Sequence, residues 1–516
     1  MTNPAAAMRM LITYAICIPV AMVVGYMLTN PLDFGTLGFL GLITAVLISP
    51  VFIRWHYPIL VFGIACPMIC FFLVGKPPFS QVVIILSLMI AIVERAMSSE
   101  KRFTSVPVMT WPLLYIAFMA YVTTELNGGI GLHSMGGDSG GGRKYITLFV
   151  GVATYFALTS QTIPRNRWKF YVALSMLPAG LGIISDFFPY LPSPLNTINL
   201  LFPPTMVYDT GVQVGTTRLS SLSFAVGIVP IYLLARYGMR EVFSGAHPVR
   251  LLLFLATFAL TFLGGYRNVF GGFLLLLALI FFMEGMHRTR LLPALVLTGA
   301  MALSVLAIFS NQLPFTFQRA MCFLPLKWDQ AVLDDAYASS EWRYNIWRAT
   351  WPKVPQYLLL GKGYSISKED YDMIGGGTFS LLQASHIDAA EESLAISGDY
   401  HSGPLSTLIP FGLWGGIGII WLMGATTFVL YRNYKYGDAE LRVFNIYLFA
   451  SCIKSIFAFL FIFGGFNNDV GGFASMAGFS IAMNHGVMGR PAQARVNPLI
   501  KPRPEPMPIA NDPIPI

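Results

Sequence analysis

The chain of 516 residues is 55% hydrophobic and only 11% charged, with a formal net charge of +8. Soluble domains carry about 25% charged residues, so this composition excludes a water-facing globule. The basic residues gather in short connecting loops rather than on one surface. The positive balance therefore reports membrane topology and not a nucleic acid partner.

Apolar runs of about 18 to 22 residues recur along the whole chain, and about 20 helical residues cross a hydrocarbon core. In chain order they fall near 8–28, 34–53, 58–75, 80–97, 106–125, 144–160, 167–185, 221–237, 249–265, 268–286, 291–310, 403–431, 441–463 and 470–488. The alternating pattern of a membrane barrel is missing. The predicted class is all-α: a polytopic helical membrane protein with about 12–14 transmembrane helices.

The first run follows Arg9 and exceeds a signal-peptide core, which predicts an uncleaved first helix. With the N-terminus inside, twenty Lys and Arg fall in inner segments and five in short outer loops. That bias predicts cytoplasmic termini. Four parts follow: 1–310 with eleven spans, 311–402 as one large outer loop, 403–489 with three spans, and 490–516 as a disordered proline-rich tail. Cys17, Cys66, Cys70 and Cys452 lie in apolar runs and Cys322 stands alone in the loop, so neither a disulfide framework nor a zinc spacing is present.

Three outer segments interrupt the spans. Residues 126–143 are glycine-rich but lack the strand-then-helix context of a nucleotide fingerprint. Residues 186–217 are rich in Pro, Asn and Thr. Residues 311–402 are long enough to imply function. Within them Ser340–Trp351 reads as an amphipathic helix, with Trp347 and Trp351 four apart and Trp342 on a neighbouring face. Pro352 and Pro355 stop it.

Few polar residues stand where chemistry would need them. Arg267 occupies Gly264-Gly265-Tyr266-Arg267-Asn268, a tight turn between two apolar helices. A charge at bilayer depth costs about 2.5–3.5 kcal/mol on insertion scales and faces a cavity or a partner; snorkelling to headgroups is the plainer reading. Arg218, opening the span after Thr216 and Thr217, is either an interfacial anchor or a bidentate phosphate ligand. His401 opens the span 403–431 two residues after Asp399, and an imidazole titrates near ambient pH as a general base must. His386 with Asp388, Glu391 and Glu392 fits a solvated acidic face better than a metal site. Lys454, inside an apolar run, needs a partner.

These stretches together resemble the O-antigen ligase and O-antigen polymerase superfamily of bacterial envelope glycosyltransferases. The resemblance rests on Arg218-Leu219-Ser220-Ser221, on Tyr266-Arg267-Asn268, and on Glu341-Trp342-Arg343 through Trp347 followed by Gly361-Lys362-Gly363-Tyr364. It ends on His401-Ser402-x-x-Leu405 with Gly412 and Gly415-Gly416; Ser402 stands where the family commonly has asparagine.

The resemblance implies a multi-pass protein of the bacterial inner membrane with a periplasm-facing site. There a glycan carried on undecaprenyl diphosphate moves to an acceptor hydroxyl, on a lipid A-core-like sugar or a growing glycan, without a metal or other cofactor. His401 and Arg267 are then the expected catalytic residues. Arg218, Arg343, Trp347, Tyr364 and Ser402 are expected to bind substrate, the aromatics by stacking on sugar faces. The alternative is a transporter of a small anionic solute with Arg218 and Arg267 as ligands. That reading expects paired halves, which the sequence lacks, and has no use for a ninety-residue outer loop.

Overall fold

The structure, a computed structural model, describes residues 4–27, 29, 34–98, 103–127, 129–130, 141–187, 192, 198–203, 219–289, 291–366, 398 and 400–489. Arg218, Asp399, the His386 group, the tail 490–516 and most of the segments 126–143 and 186–217 lie outside the described residues.

In chain order the helices are α1 (Pro4–Met27), α2 (Phe34–Ala65), α3 (Phe79–Met97), α4 (Pro107–Leu126), α5 (Gly142–Thr159), α6 (Trp168–Leu174), α7 (Ile183–Phe187), α8 (Ser220–Val242), α9 (Pro248–Leu260), α10 (Arg267–Met283) and α11 (Leu291–Phe309). The large loop contributes α12 (Phe315–Met321), α13 (Gln330–Thr350) and α14 (Val354–Tyr357). The chain then returns through α15 (Gly403–Tyr436), α16 (Arg442–Phe461) and α17 (Phe466–Asn484).

Eight helical stretches among the described residues are long and apolar enough to cross a membrane: Val46–Ala65, Phe79–Met97, Pro107–Leu126, Arg165–Phe187, Ser220–Val242, Leu295–Gln312, Gly403–Tyr436 and Ala439–Phe461. Shorter apolar helices cover Thr13–Tyr26, Pro248–Gly264 and Arg267–Met283. The protein is an all-α, multi-pass membrane protein.

Three expected spans differ from the helices found. Residues 34–53 and 58–75 are not separate helices: α2 runs through both and bends at Trp55. Pro58 explains the bend, because it cannot donate to the Arg54 carbonyl and its ring crowds it. The chain leaves helix at Cys66, and Ile69 pairs with Pro78 in an isolated bridge. The span expected at 167–185 is broken into α6, a 3-10 turn over Leu177–Gly182 and α7. Its sequence LPAGLG supplies one proline and two glycines in six residues, which no regular helix accommodates well.

One large core joins α2–α5 with α15–α17. A second joins α8, α9 and α10 to α16, so α16 belongs to both. At the end of the bundle away from the large loop, Asn445 and Asn484 exchange amide hydrogen bonds of 3.0 and 2.9 Å. Both are buried, and the reciprocal pairing offsets the cost of placing amides there.

Helix α15 is opened to receive the loop. Gly412 has φ +58 and ψ −151, so the helical ladder breaks there. The carbonyls of Ile409 and Pro410 lose their helical donors and accept instead from Lys362 N–H at 2.9 Å and Gly363 N–H at 2.9 Å. In return Leu413 N–H donates to the Leu358 carbonyl at 2.8 Å. Gly361 has φ +72, and a side chain on it would collide with the Pro410 carbonyl. The Gly-Lys-Gly motif is therefore a docking segment that satisfies buried backbone groups. Replacing Gly361 by Val should cost about 1–3 kcal/mol from overpacking and backbone strain. The expected result is a lower melting temperature and faster proteolysis of 330–366, measured in detergent with membrane insertion unchanged. Unaltered protease resistance would show that this docking does not hold the loop.

Candidate functional site

The large loop is anchored at both ends by small apolar clusters. At the start, Phe262, Ala320, Met321 and Trp328 pack together at the turn between α9 and α10. At the end, Val354, Tyr400, Leu405 and Ile409 pack with Trp347 and Tyr357 at the mouth of α15. Helix α13 runs between these anchors, and the site residues meet along it.

Arg267 begins α10, two residues after the left-handed Gly265. Its Nη2 donates to the Ala336 carbonyl at 3.0 Å and to Ser340 Oγ at 3.1 Å, both on α13. Those two residues are one helical turn apart and Arg343 follows three residues later on the same face. The Arg343 Nε is buried with no hydrogen-bond partner among the described residues. Burial is the main cause that pushes the Arg343 pKa below the usual guanidinium value, and the nearby positive charges of Arg267 and Arg319 add to it. Three guanidinium groups thus gather where α13 meets the α9–α10 turn.

Arg319 was not anticipated from sequence. It is 5% exposed on α12, forms an ion pair from Nε to Asp335 Oδ2, and donates from Nη1 to the Gly265 carbonyl at 2.6 Å. It ties together α12, α13 and the turn that carries Arg267. The one sequence signal was an arginine inside a short, mostly apolar helix (FTFQRAM); its acidic partner is 16 residues on and invisible to local periodicity.

His401 sits in the left-handed region at φ +49. A non-glycine residue there costs about 1–2 kcal/mol, and the surroundings fix it. Trp347 Nε1–H donates to the carbonyl of Tyr400 at 3.0 Å, holding the residue before it. Ser402, the residue after it, caps α15, its Oγ accepting from Leu405 N–H at 3.5 Å. The imidazole meets the Trp342 ring edge-on with centroids 5.0 Å apart, and Phe463 at 5.1 Å. Trp342 precedes Arg343 on α13, so the imidazole and the guanidinium cluster border the same helix.

Three expected substrate contacts take other places. Tyr364 is 5% exposed, wedged edge-on between Tyr145 and Phe411 at 5.1 Å each, and its N–H donates to Tyr145 Oη at 2.8 Å. With its faces covered it cannot stack on a sugar, and the expectation is corrected: it is a packing residue next to the Gly-Lys-Gly dock. Trp347 and Ser402 spend their polar atoms on the backbone around His401 and act on its position. Trp342, not Trp347, touches the imidazole.

Arg218 is among the residues not described. The first serine after it, Ser220, pairs with Tyr266 Oη at 2.8 Å, one residue before Arg267. Lys454 passes its stem beside Gly272 on α10. Among the described residues no three His, Cys, Asp or Glu side chains converge as a metal site requires.

The buried ion pair predicts a sharp asymmetry. Asp335→Asn leaves Arg319 charged and unpaired, at a cost of about 3–5 kcal/mol, whereas Arg319→Met with Asp335→Leu is expected to recover most of it. Hydrogen exchange over 315–350 is the readout. Equal protection in all three proteins would contradict the role given to this pair.

Residues 251–420 match the family model described as O-antigen ligase, a segment that contains Arg267, Arg319, Arg343 and His401. No curated protein matches the chain. That match, together with the all-α multi-pass fold, supports the O-antigen ligase and polymerase superfamily as the family this chain is similar to.

Proposed function

We propose that the protein transfers a glycan from undecaprenyl diphosphate to an acceptor hydroxyl at the outer face of the bacterial inner membrane. The observation that carries this reading is the cluster of Arg267, Arg343 and Arg319, in which a buried nitrogen of Arg343 lacks a partner. Like charges gathered without compensation are unfavourable. A diphosphate placed against Arg267 and Arg343 removes that penalty and gains bidentate, charge-assisted hydrogen bonds. Arg319, already paired to Asp335, holds the cradle without spending its charge on ligand.

The chemistry is a displacement at the anomeric carbon. His401 takes the proton of the acceptor hydroxyl as its oxygen attacks. The new glycosidic bond forms while the bond from the anomeric carbon to the diphosphate oxygen breaks. The negative charge that develops on the leaving diphosphate falls to Arg267 and Arg343, which is electrostatic stabilisation aimed at the transition state. The proton then leaves His401 to water. Positioned general bases contribute about 10²–10⁴ in rate. The cage of Trp342 and Phe463 fixes the ring for that transfer.

Transfer measured with purified protein and a lipid-linked donor separates the roles. His401→Gln should lower kcat by about 10²–10⁴ with the donor KM little changed. Arg343→Gln should raise the donor KM tenfold or more, as the loss of a charge-assisted bond of about 1.5–3 kcal/mol requires. Normal transfer in His401→Gln would refute the base assignment. In a deletion strain, full-length glycan stranded on its lipid carrier indicates a ligase, and single-repeat glycan on the acceptor indicates a polymerase.

A further inference from the structure

The outer side of α13 carries a row of aromatic rings. Tyr337, Tyr344 and Trp351 are 69%, 61% and 57% exposed, and their side chains make no hydrogen bond or ring contact among the described residues. They recur every seven residues, so each side chain returns to within about 20° of the one before it, about 10.5 Å further along the helix. We propose that this row is a glycan platform, which holds an extended saccharide chain of several sugars beyond the one at the reacting end. That the chain is the transferred glycan rests on the transferase reading above; the binding of a saccharide chain does not.

The row faces away from the helix bundle. The other side of α13 is held by Arg267 at the start of α10, by Arg319 of α12 and by the Tyr400 carbonyl at the mouth of α15. These supports stand at the loop-side ends of long apolar helices, so the opposite side of α13 looks outward from them. Lipid is a poor cover for that side. Asp334 and Glu341 are exposed beside the rings, and a carboxylate in hydrocarbon is costly.

Ring chemistry and spacing choose the ligand class. Tyr and Trp offer rigid, amphipathic contact area at low entropic cost, and the C–H faces of sugar rings are its apolar complement. Asp334, Glu341 and Arg348, all exposed on this side, supply acceptors and donors for the hydroxyls at the ring edges. The row is about 21 Å long, so a single sugar covers one ring and a chain is needed to cover three. It is also continuous with the reacting site. Trp351 lies one helical turn after Trp347, which holds the residue before His401, and a glycan leaving the imidazole meets that end of the row first.

The test is hydroxyl-radical footprinting of the full chain in zwitterionic-lipid nanodiscs, read by mass spectrometry. The probes are the glycan polymer released by mild acid from the lipid-linked pool of the bacterium that makes the protein, and its single repeat unit. Without glycan, Tyr337, Tyr344 and Trp351 should oxidise readily, as water-facing rings do. The polymer should protect all three at concentrations at least about tenfold lower than the single unit, because linked contacts reinforce one another. Tyr344→Ala should weaken protection of Tyr337 and Trp351 about tenfold, the scale of a lost aromatic anchor. The ring is exposed, so its replacement leaves α13 seated. Arg343→Gln and His401→Gln should not alter the footprint. In the transfer assay Tyr344→Ala should raise the KM of a polymer-bearing donor far more than that of a single-unit donor.

Rings that resist oxidation before glycan is added, because lipid, another protein or the rest of the chain covers them, would overturn the proposal. So would polymer and single unit protecting equally, or a footprint unchanged in Tyr344→Ala. Transfer that survives His401→Gln while the footprint follows the expected pattern would refute the catalytic reading and leave the glycan platform standing.

Discussion

Helix α13 is clasped from two sides, and the rest of the site depends on that clasp. Arg267 and Arg319 hold its first half from α10 and α12, one through the Ala336 carbonyl and Ser340, the other through Asp335. The second half is held by Trp347 on the Tyr400 carbonyl and by the loop docked into α15. A helix with this many polar anchors has little freedom to slide. Arg343 and Trp342 therefore stay fixed against the cation cluster and the imidazole respectively.

The electrostatics and the backbone work in the same direction. Arg267 rests on neutral acceptors of α13, a carbonyl and a hydroxyl, and so keeps its charge uncompensated. Arg319 is neutralised and structural. Arg343 is the guanidinium with an unsatisfied buried nitrogen. In the proposed reaction an anionic leaving group relieves this unfavourable charge, and preorganised charge needs no rearrangement at the moment of reaction. His401 is held by equally fixed means: a left-handed backbone, a capped helix after it and two aromatic edges around it.

Much of this was legible in the residues. The apolar runs predicted a polytopic helical protein, and the tryptophan spacing predicted a helix over Ser340–Trp351, which α13 contains almost whole. Its earlier half escaped notice because its burial is set by Arg319 of α12, a tertiary contact with no local period. Residues 66–75 read as the end of a membrane span by hydropathy alone, but a bridge and turns take them out of the helix. Tyr364 was expected to stack on a sugar only because the resemblance placed it in a loop over the site. Only the opened α15 shows why the glycines there bring it inward.

Density for undecaprenyl diphosphate bound to the full chain tests the central claim most directly. The two phosphates should lie within hydrogen-bond distance of the Arg267 and Arg343 guanidinium groups, on the side of α13 that borders His401. Phosphates resting instead at a membrane surface remote from α13 would contradict it.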